Sequence, residues 1–431
     1  MYVGRRRAAA FFAIPAFVVA LLALRELLQG PVVFALSMLS AGYALSVVLV
    51  VLLSGAWRAW SILHADAVRA PRLRPLTRAQ GGMLAGLLVA VLAMHAIPAY
   101  YAWSVYQADT QFSKPIASDA GWQPVETPDP SDLPVLTTPS AGESLGPVTT
   151  PPSNPHRVTI LLTGIDFGPG RTHSLNDTMI LVSVDMDTKK GSMVSVPRDT
   201  TMFQLYWNHG TLGPTFKLNA LPTGVRNKWF VSPDSPMTTL EKELGYIMGI
   251  QVDYYMAIDL TGFQKMVDMA GGVDVVNPKA FHDPLQNTQW AAGPLHLDGS
   301  QALLYVRSRY ADSDYNRSAR QQDVLVALEK KLITPGMLVQ LPRFLDLAGT
   351  TIRTDYPLDK AKDMAAFAVG LPSDAISRCV LGPPYSYHPD SSTTRGVWTS
   401  RLDMTRVAAL SVYMYGHDSA YYGKAKPAAC G

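Results

Sequence analysis

The chain has 431 residues, 37 Lys and Arg against 34 Asp and Glu, and a formal net charge of +3. That length accommodates two or three structural units, and so small a net charge supplies no overall basic field for a polyanion. The two cysteines and nine scattered histidines fall in no spacing that would hold zinc.

Three apolar segments come first. Residues 8–24 and 32–54 carry no charge, and residues 83–103 carry one histidine and one proline. A hydrocarbon core of roughly 30 Å takes roughly 20 residues of helix, so each segment is read as a transmembrane helix. The first is the shortest, with Arg5, Arg6 and Arg7 ahead of it to snorkel toward the headgroups. A cleaved signal peptide opens in the same way, but two further spans follow here. The loop at 55–80 carries Arg58, Arg69, Arg72, Arg74 and Arg78 against Asp66, whereas the loop at 25–30 carries one Arg and one Glu. The positive-inside rule places the N-terminus and the second loop in the cytoplasm, and three crossings put everything after Trp103 outside. Tyr100, Tyr101, Trp103 and Tyr106 suit an aromatic belt at that outer interface. This all-α, multi-pass cell-membrane region is assigned residues 1–107.

Residues 108–156 are rich in Pro, Ser and Thr and poor in large apolar side chains, which describes an extended spacer. Residues 157–431 have the composition of a globular, extracytoplasmic domain. Cys379 and Cys430 both lie in it; an oxidising compartment permits a bridge, and two free thiols are the alternative.

Within that domain strands and helices alternate. Strands are expected at Val158–Thr163, Thr178–Asp185 and Ser192–Val196, with a hairpin turn at 187–191. An amphipathic helix at Thr238–Met248 precedes a strand near Tyr254–Ile258. A helix at Leu260–Ala270 ends at Gly271 and Gly272, before a strand at Val273–Val276. Asp298 is expected to cap a helix through Leu304, and Asp314 to cap the helix that carries Arg317, Arg320 and Gln321. The pattern implies a central sheet covered by helices, α/β or α+β.

Three charged clusters stand out. Asp166 and Asp177 sit at strand ends, where two carboxylates facing one point suit a hard cation such as Mg2+; turn chemistry is the other reading. Arg198 and Asp199 follow the third strand, where a surface ion pair is the simpler reading in isolation. The third cluster is YVRSRYADSDYNRSARQQ at 305–322. Arg307 and Arg309, two apart, would point the same way from extended backbone, and Arg317 and Gln321, four apart, would align on a helix. The planar guanidinium fork binds phosphate through two oxygens at once; the simpler reading is a solvated helix face.

Taken together, ILLTGID (160–166), NDTMILVSVD (176–185), SVPRDT (195–200), KLNA (217–220), the block at 253–275, LDGSQALLYVRSR and DYNRSARQQ resemble the LytR-CpsA-Psr family. The resemblance runs over about Val158–Leu332 and on toward Tyr415. It implies a membrane-anchored enzyme with its domain outside. Such an enzyme moves a glycan polymer from a polyprenyl-pyrophosphate carrier to an envelope acceptor such as peptidoglycan, through a phosphodiester. On that basis Arg198, Arg307, Arg309 and Arg317, with Gln321, are assigned to the pyrophosphate, and Lys217 to a further phosphate contact. Asp166 and Asp177 would hold Mg2+ bridging the phosphates. Asp199 would orient Arg198 or accept the acceptor's hydroxyl proton. The chain departs from the family at Leu175, where an arginine is common, and Arg171 is expected to reach the same place from the preceding loop. Many members have one transmembrane helix, against three read here. The segment around Leu260–Met269 would line a groove for the prenyl tail, or serve as ordinary core. The other function class is a polyprenyl-phosphate or envelope-polymer binding protein without turnover, with a regulatory or scaffold role. Nucleic acid is excluded as a partner by the topology, which places the basic segment across the membrane from DNA.

Overall fold

The computed structural model describes residues 10–15, 17, 21, 24, 25, 28, 41–69, 78–112, 151–165, 175–310, 312–332, 334–357, 360, 364 and 375–430. They fall into two compact units. In the first, helices α1 (Ala41–Arg69) and α2 (Arg78–Phe112) contain stretches, Gly42–His64 and Gly81–Gln107, long and apolar enough to cross a membrane. Large apolar side chains such as Leu53, Val89 and Leu92 are exposed on these helices. Gly55 lets the two helices approach closely, since a Cβ there would stand 3.0 Å from the His95 ring. The predicted third span corresponds to α2. The second, expected at 32–54, corresponds to α1 from residue 41 on, its first residues lying outside the described ones; the apolar helix continues past Ser54 to His64 with Arg58 as its one basic residue. The predicted first span falls mostly outside the described residues, although 10–15 are helical. The spacer is described only from residue 151 onward.

The second unit is built on a six-stranded sheet in the order β10-β3-β2-β1-β4-β9. Strands β1 (Arg157–Ile165), β2 (Asn176–Asp185) and β3 (Lys190–Ser195) form an antiparallel meander. Strand β4 (Tyr254–Asp259) runs parallel to β1, and β10 (Ile376–Val380) parallel to β3. The short β9 (Ile352–Thr354) closes the β4 edge. Alternation along the strands turns Leu161, Met179, Leu181 and Val194 to one face. There they meet Leu240, Leu244 and Ile247 of α4 (Pro236–Met248) and Val407 and Leu410 of α9 (Met404–Tyr415). The short α3 (Leu221–Arg226) precedes α4. Helix α4 starts at the Ser235 cap with Pro236 behind it and ends at Gly249, whose φ of +65 a side chain would resist.

A second core gathers α5 (Leu260–Met269), α6 (Gly299–Arg307) and α7 (Asp314–Leu332) with strands β5 (Val273–Asn277), β6 (Phe281–Asp283), β7 (Thr288–Trp290) and β8 (Gly293–Leu297). Met266 and Val267 of α5 are buried, and Val267 belongs to this core. Asp298 caps α6 as expected, in a reciprocal capping box with Gln301. Gly299 is needed because a Cβ would stand 2.1 Å from the Gln264 carbonyl. Helix α7 is capped differently from expectation: Ser313 Oγ accepts from Asn316 N at 3.1 Å, which leaves the Asp314 carboxylate for other work. Gln322 fastens α7 to the sheet, donating to Ser195 Oγ at 2.8 Å and the Cys379 carbonyl at 2.9 Å. Strand β11 (Ser386–Tyr387) pairs with β12 (Arg401–Leu402), and helix α8 (Pro335–Thr351), whose residues up to Gly349 belong to the first unit, precedes β9 in the chain. Cys379 on β10 is bridged to Cys430 across 51 residues, which decides between the two readings of the cysteines.

Helix α4 buries two acids. Glu243 is fully enclosed; Oε2 accepts from Tyr206 N at 3.2 Å and Oε1 has no partner. Burial raises its pKa well above the usual carboxyl range. Burial, reinforced by the nearby Asp355 and Asp253, pushes Glu241 up to about 8. Between its ordinary 4.5 and about 8, Glu241 is protonated when folded and ionised when unfolded, so its contribution to stability falls as pH rises through that window. Glu241→Gln should therefore stabilise the chain relative to wild type more at about pH 8.5 than at about pH 5.5, as read by thermal denaturation at the two values.

Candidate functional site

The site forms where the meander turns over. Ile165 at the end of β1 pairs with Asn176 at the start of β2, so Asp177 stands at the sheet's end. Beyond β3, Val196 N bonds the Met179 carbonyl, and a turn closed by Thr200 N to the Pro197 carbonyl presents Arg198 and Asp199. The KLNA segment folds back on that turn through Leu218 N to the Thr200 carbonyl and Asn219 N to the Arg198 carbonyl. The first turn of α7 brings Asp314 and Arg317.

These side chains form one ion network. Arg198 Nη1 donates to Asp177 Oδ1 at 2.5 Å, and its Nε lies 3.7 Å from Asp199 Oδ2 and 4.0 Å from Asp314 Oδ1. Lys217 Nζ sits 2.6 Å from Asp199 Oδ1. Arg317 Nη2 lies 2.8 Å from Asp314 Oδ1 and donates to the Asp177 carbonyl at 3.3 Å. Asn219 Nδ2 reaches Asp177 Oδ1 at 3.5 Å. Burial works against the charge on Arg198, but Asp177, Asp199 and Asp314 outweigh it and hold its pKa above the ordinary value. For Arg317 burial prevails over the attraction of Asp314 and lowers the pKa. Burial likewise raises that of Asp314 against the pull of Arg317 and Arg198. Neither Arg198 Nε nor Arg317 Nε makes a hydrogen bond, an uncommon state for buried donors and one that suits an anion-binding centre.

The network opens into a cleft of about 260 Å³. Its polar lining is Arg198, Asp199, Thr215, Lys217 and Asn219, and its apolar lining is Leu175, Phe216, Ala220 and Trp229. Asp177 and Lys217, 35% and 28% exposed, are the accessible members, against 6% for Arg317. A cationic group beside an apolar wall matches a ligand that is part phosphate and part hydrocarbon.

A model of the LytR_cpsA_psr family matches residues 136–399, more than half of the chain. The chain belongs to the LytR_cpsA_psr family. Among its relatives is the polyisoprenyl-teichoic acid–peptidoglycan teichoic acid transferase TagU of Oceanobacillus iheyensis, 29% identical over 262 residues, or 60% of this chain and 76% of the relative. The TagU of Bacillus cereus is 31% identical over 209 residues, or 48% of this chain and 63% of the relative, so the chain spans less than two thirds of that protein. The crystal structure of Bacillus subtilis TagV superposes with a TM-score of 0.50 at 21% identity, covering 63% of this chain and 99% of that one; it shares the mixed α/β fold.

Of the predicted site residues, Arg198, Asp199, Lys217, Arg317 and Asp177 come together in the network. Asp166 and Arg171 lie outside the described residues. Arg307, Arg309 and Gln321 touch no member of it. Arg307 is the exposed last residue of α6, so the pair at 307 and 309 does not share an extended backbone as expected. Ser308 breaks the helix between them, and Arg309 folds over the Tyr310 ring, donating to its hydroxyl at 2.7 Å. Gln321 donates to the Val306 carbonyl at 3.3 Å and so joins α7 to α6. Among the described residues no three His, Cys, Asp or Glu converge as a metal cluster. Asp177 still suits a hard cation, because Oδ2 of this partly exposed carboxylate bonds no described residue.

Sequence reasoning missed three residues. Asp314 belongs to the network, and its spacing of three from Arg317 was the available signal. Asn219 had none beyond its block. Buried Asp283 accepts from Arg309 N at 3.0 Å and Tyr310 N at 3.4 Å, so it fixes the loop between α6 and α7. Arg320 secures that loop from the other side: it is buried over the Phe281 and Tyr305 rings, pairs with Asp312 at 2.7 Å and donates to the Ser308 carbonyl. Arg320→Ala should accordingly cost about 2–3 kcal/mol of stability, and Arg307→Ala less than about 0.5. Denaturant titration of the two variants checks the contrast.

Proposed function

We propose that this protein transfers a glycopolymer from a polyprenyl-pyrophosphate carrier to a cell-envelope acceptor such as peptidoglycan. The observation that carries the reading is the buried Arg198–Asp177–Asp199–Lys217–Asp314–Arg317 network opening into a half-apolar cleft. Relatives named as polyisoprenyl-teichoic acid–peptidoglycan transferases support it.

In the reaction an acceptor hydroxyl oxygen attacks the phosphorus next to the glycan. A P–O bond forms there, the bridging P–O bond breaks, and polyprenyl monophosphate leaves with the electron pair. Phosphoryl transfer asks the protein chiefly for position and charge. Lys217 and Arg198 hold the phosphates at the cleft, with Arg317 behind them. Asp199 faces cations with both oxygens, so it orients Arg198 and Lys217. Asp314, with its raised pKa, is the acid better suited to take the hydroxyl proton. Leu175, Phe216, Ala220 and Trp229 receive the first isoprenoid carbons. Mg2+, held by Asp177 with Asp166, would neutralise pyrophosphate charge and favour departure of the prenyl phosphate. The arginine bias of the first 80 residues supports a multi-pass anchor with the N-terminus in the cytoplasm and the domain outside. A phosphatase fused after Gly431 should then be active outside the cell.

A binding protein without turnover is favoured by one feature, the aliphatic Leu175 in the cleft wall. Incubating the full chain in detergent with a prenyl-pyrophosphate oligosaccharide and a glycan acceptor separates the readings: transfer supports the enzyme, and retention without product the binder. Arg198→Ala should reduce transfer by at least about 10²-fold, the usual cost of losing a cation at a transferring phosphate. Asp177→Asn should raise the Mg2+ concentration needed for half-maximal transfer, and an unchanged requirement would remove Asp177 from the metal site.

A further inference from the structure

One exposed aromatic group lies beside the network and is used by nothing described so far. Trp398 is 64% exposed, although Thr399 and Ser400, which follow it, are both buried. Its indole lies on the His388 imidazole with ring centroids 3.8 Å apart. His388 is itself fixed: the Thr399 carbonyl can only accept, so Nδ1–H donates to it at 2.7 Å. The Tyr315 ring stands 6.3 Å from His388, and Tyr315 is held by Ser386 Oγ at 3.1 Å and packed on Gly382. The indole is thus presented by a stack and not by a mobile loop tip.

Both ends of this stack are tied to the phosphate network. Tyr315 is the neighbour of Asp314 in the first turn of α7. On the other side Ser400 N donates to the Asp199 carbonyl at 2.8 Å, and Thr201 N donates to the Ser400 carbonyl at 2.8 Å. Two residues of chain, at most about 7 Å, separate Ser400 from Trp398.

We propose that Trp398, backed by His388 and Tyr315, is a stacking platform for a sugar ring of the acceptor glycan. The inference rests on the transferase reading above and deepens it by assigning the acceptor side. A pyranose offers one face of C–H bonds, and an indole offers a flat, electron-rich surface of similar breadth. The indole is 64% exposed and held against the fixed His388 ring, so its face is preorganised for a ring contact and little side-chain freedom is lost on binding. The platform's position suits this occupant: Trp398 is two residues from Ser400, whose N–H bonds the Asp199 carbonyl, so a glycan strand stacked there would be held on the side of the domain that carries the network. A lipid tail or a second copy of the chain would have no such need to sit beside Asp199.

The test uses the full chain in detergent and, as probe, purified peptidoglycan sacculi stripped of attached polymers. Trp398→Ala should weaken sacculus binding about tenfold, with Trp398→Phe keeping most of it. Tyr413→Ala, an exposed aromatic on α9, is the control and should bind like wild type. In the transfer assay the loss should appear in KM for the acceptor and not in KM for the lipid-linked donor. Equal binding by Trp398→Ala and wild type would overturn the proposal, as would a loss confined to donor KM or to self-association measured by light scattering. If wild type binds sacculi through Trp398 yet transfers nothing, the platform stands and the enzymatic reading falls. If transfer proceeds and Trp398→Ala matches wild type, the reverse holds.

Discussion

Arg198 is a guanidinium taken out of water and held by carboxylates from three separate stretches of chain. Asp177 comes from the start of β2, Asp199 from the turn after β3, and Asp314 from the first turn of α7. A buried charge without partners costs several kcal/mol, so these stretches are stable together and costly apart. Lys217 and Arg317 extend the same logic, each neutralising an acid that Arg198 has only partly matched. The sheet end, the loop and the helix are thereby locked into one register.

The remainder of the domain keeps that arrangement in place. One hydrophobic core seats α4 and α9 on the sheet, and a second core carries α6 and α7. Gln322 joins the sheet to α7 through two hydrogen bonds, close in sequence to Arg317. Asp283 and Arg320 grip the α6–α7 loop from opposite sides, which sets where α7 begins. Arg320, in the same arginine-rich segment as Arg317, behaves as a brace in the fold. The same turn that presents Arg198 and Asp199 is bonded to Ser400, so the ion network and the aromatic group at Trp398 share a frame.

Much of the architecture was legible because it rests on local chemistry. The β1–β3 meander follows from apolar alternation and a polar turn, and Asp298 announces α6 through a capping box that involves only its near neighbours. The arginine segment at 305–322 was harder, because charge reads alike whether it is solvated, braced or active. Arg317 enters the network while Arg320, three residues later, turns to Asp312 and two aromatic rings. Helical spacing does not separate these outcomes; the neighbours supplied by β6 and by the sheet do. The cap of α7 illustrates the same point, since Ser313 takes the backbone donor and frees Asp314 for Arg198 and Arg317.

By itself the sequence determined the apolar N-terminal segments, the α/β alternation after Arg157 and the family, since each is carried by residue type and near-neighbour spacing. Tertiary structure alone decided which charges meet. Residues 177, 199, 217 and 317 are far apart along the chain and close in space only because β-pairing and two cores fold them there. It also decided that Leu175 belongs to the cleft wall and that Cys379 reaches Cys430. A side chain's chemistry is written in its own residue, but its partners are set by the packing of distant ones, and at this site the partners determine the role.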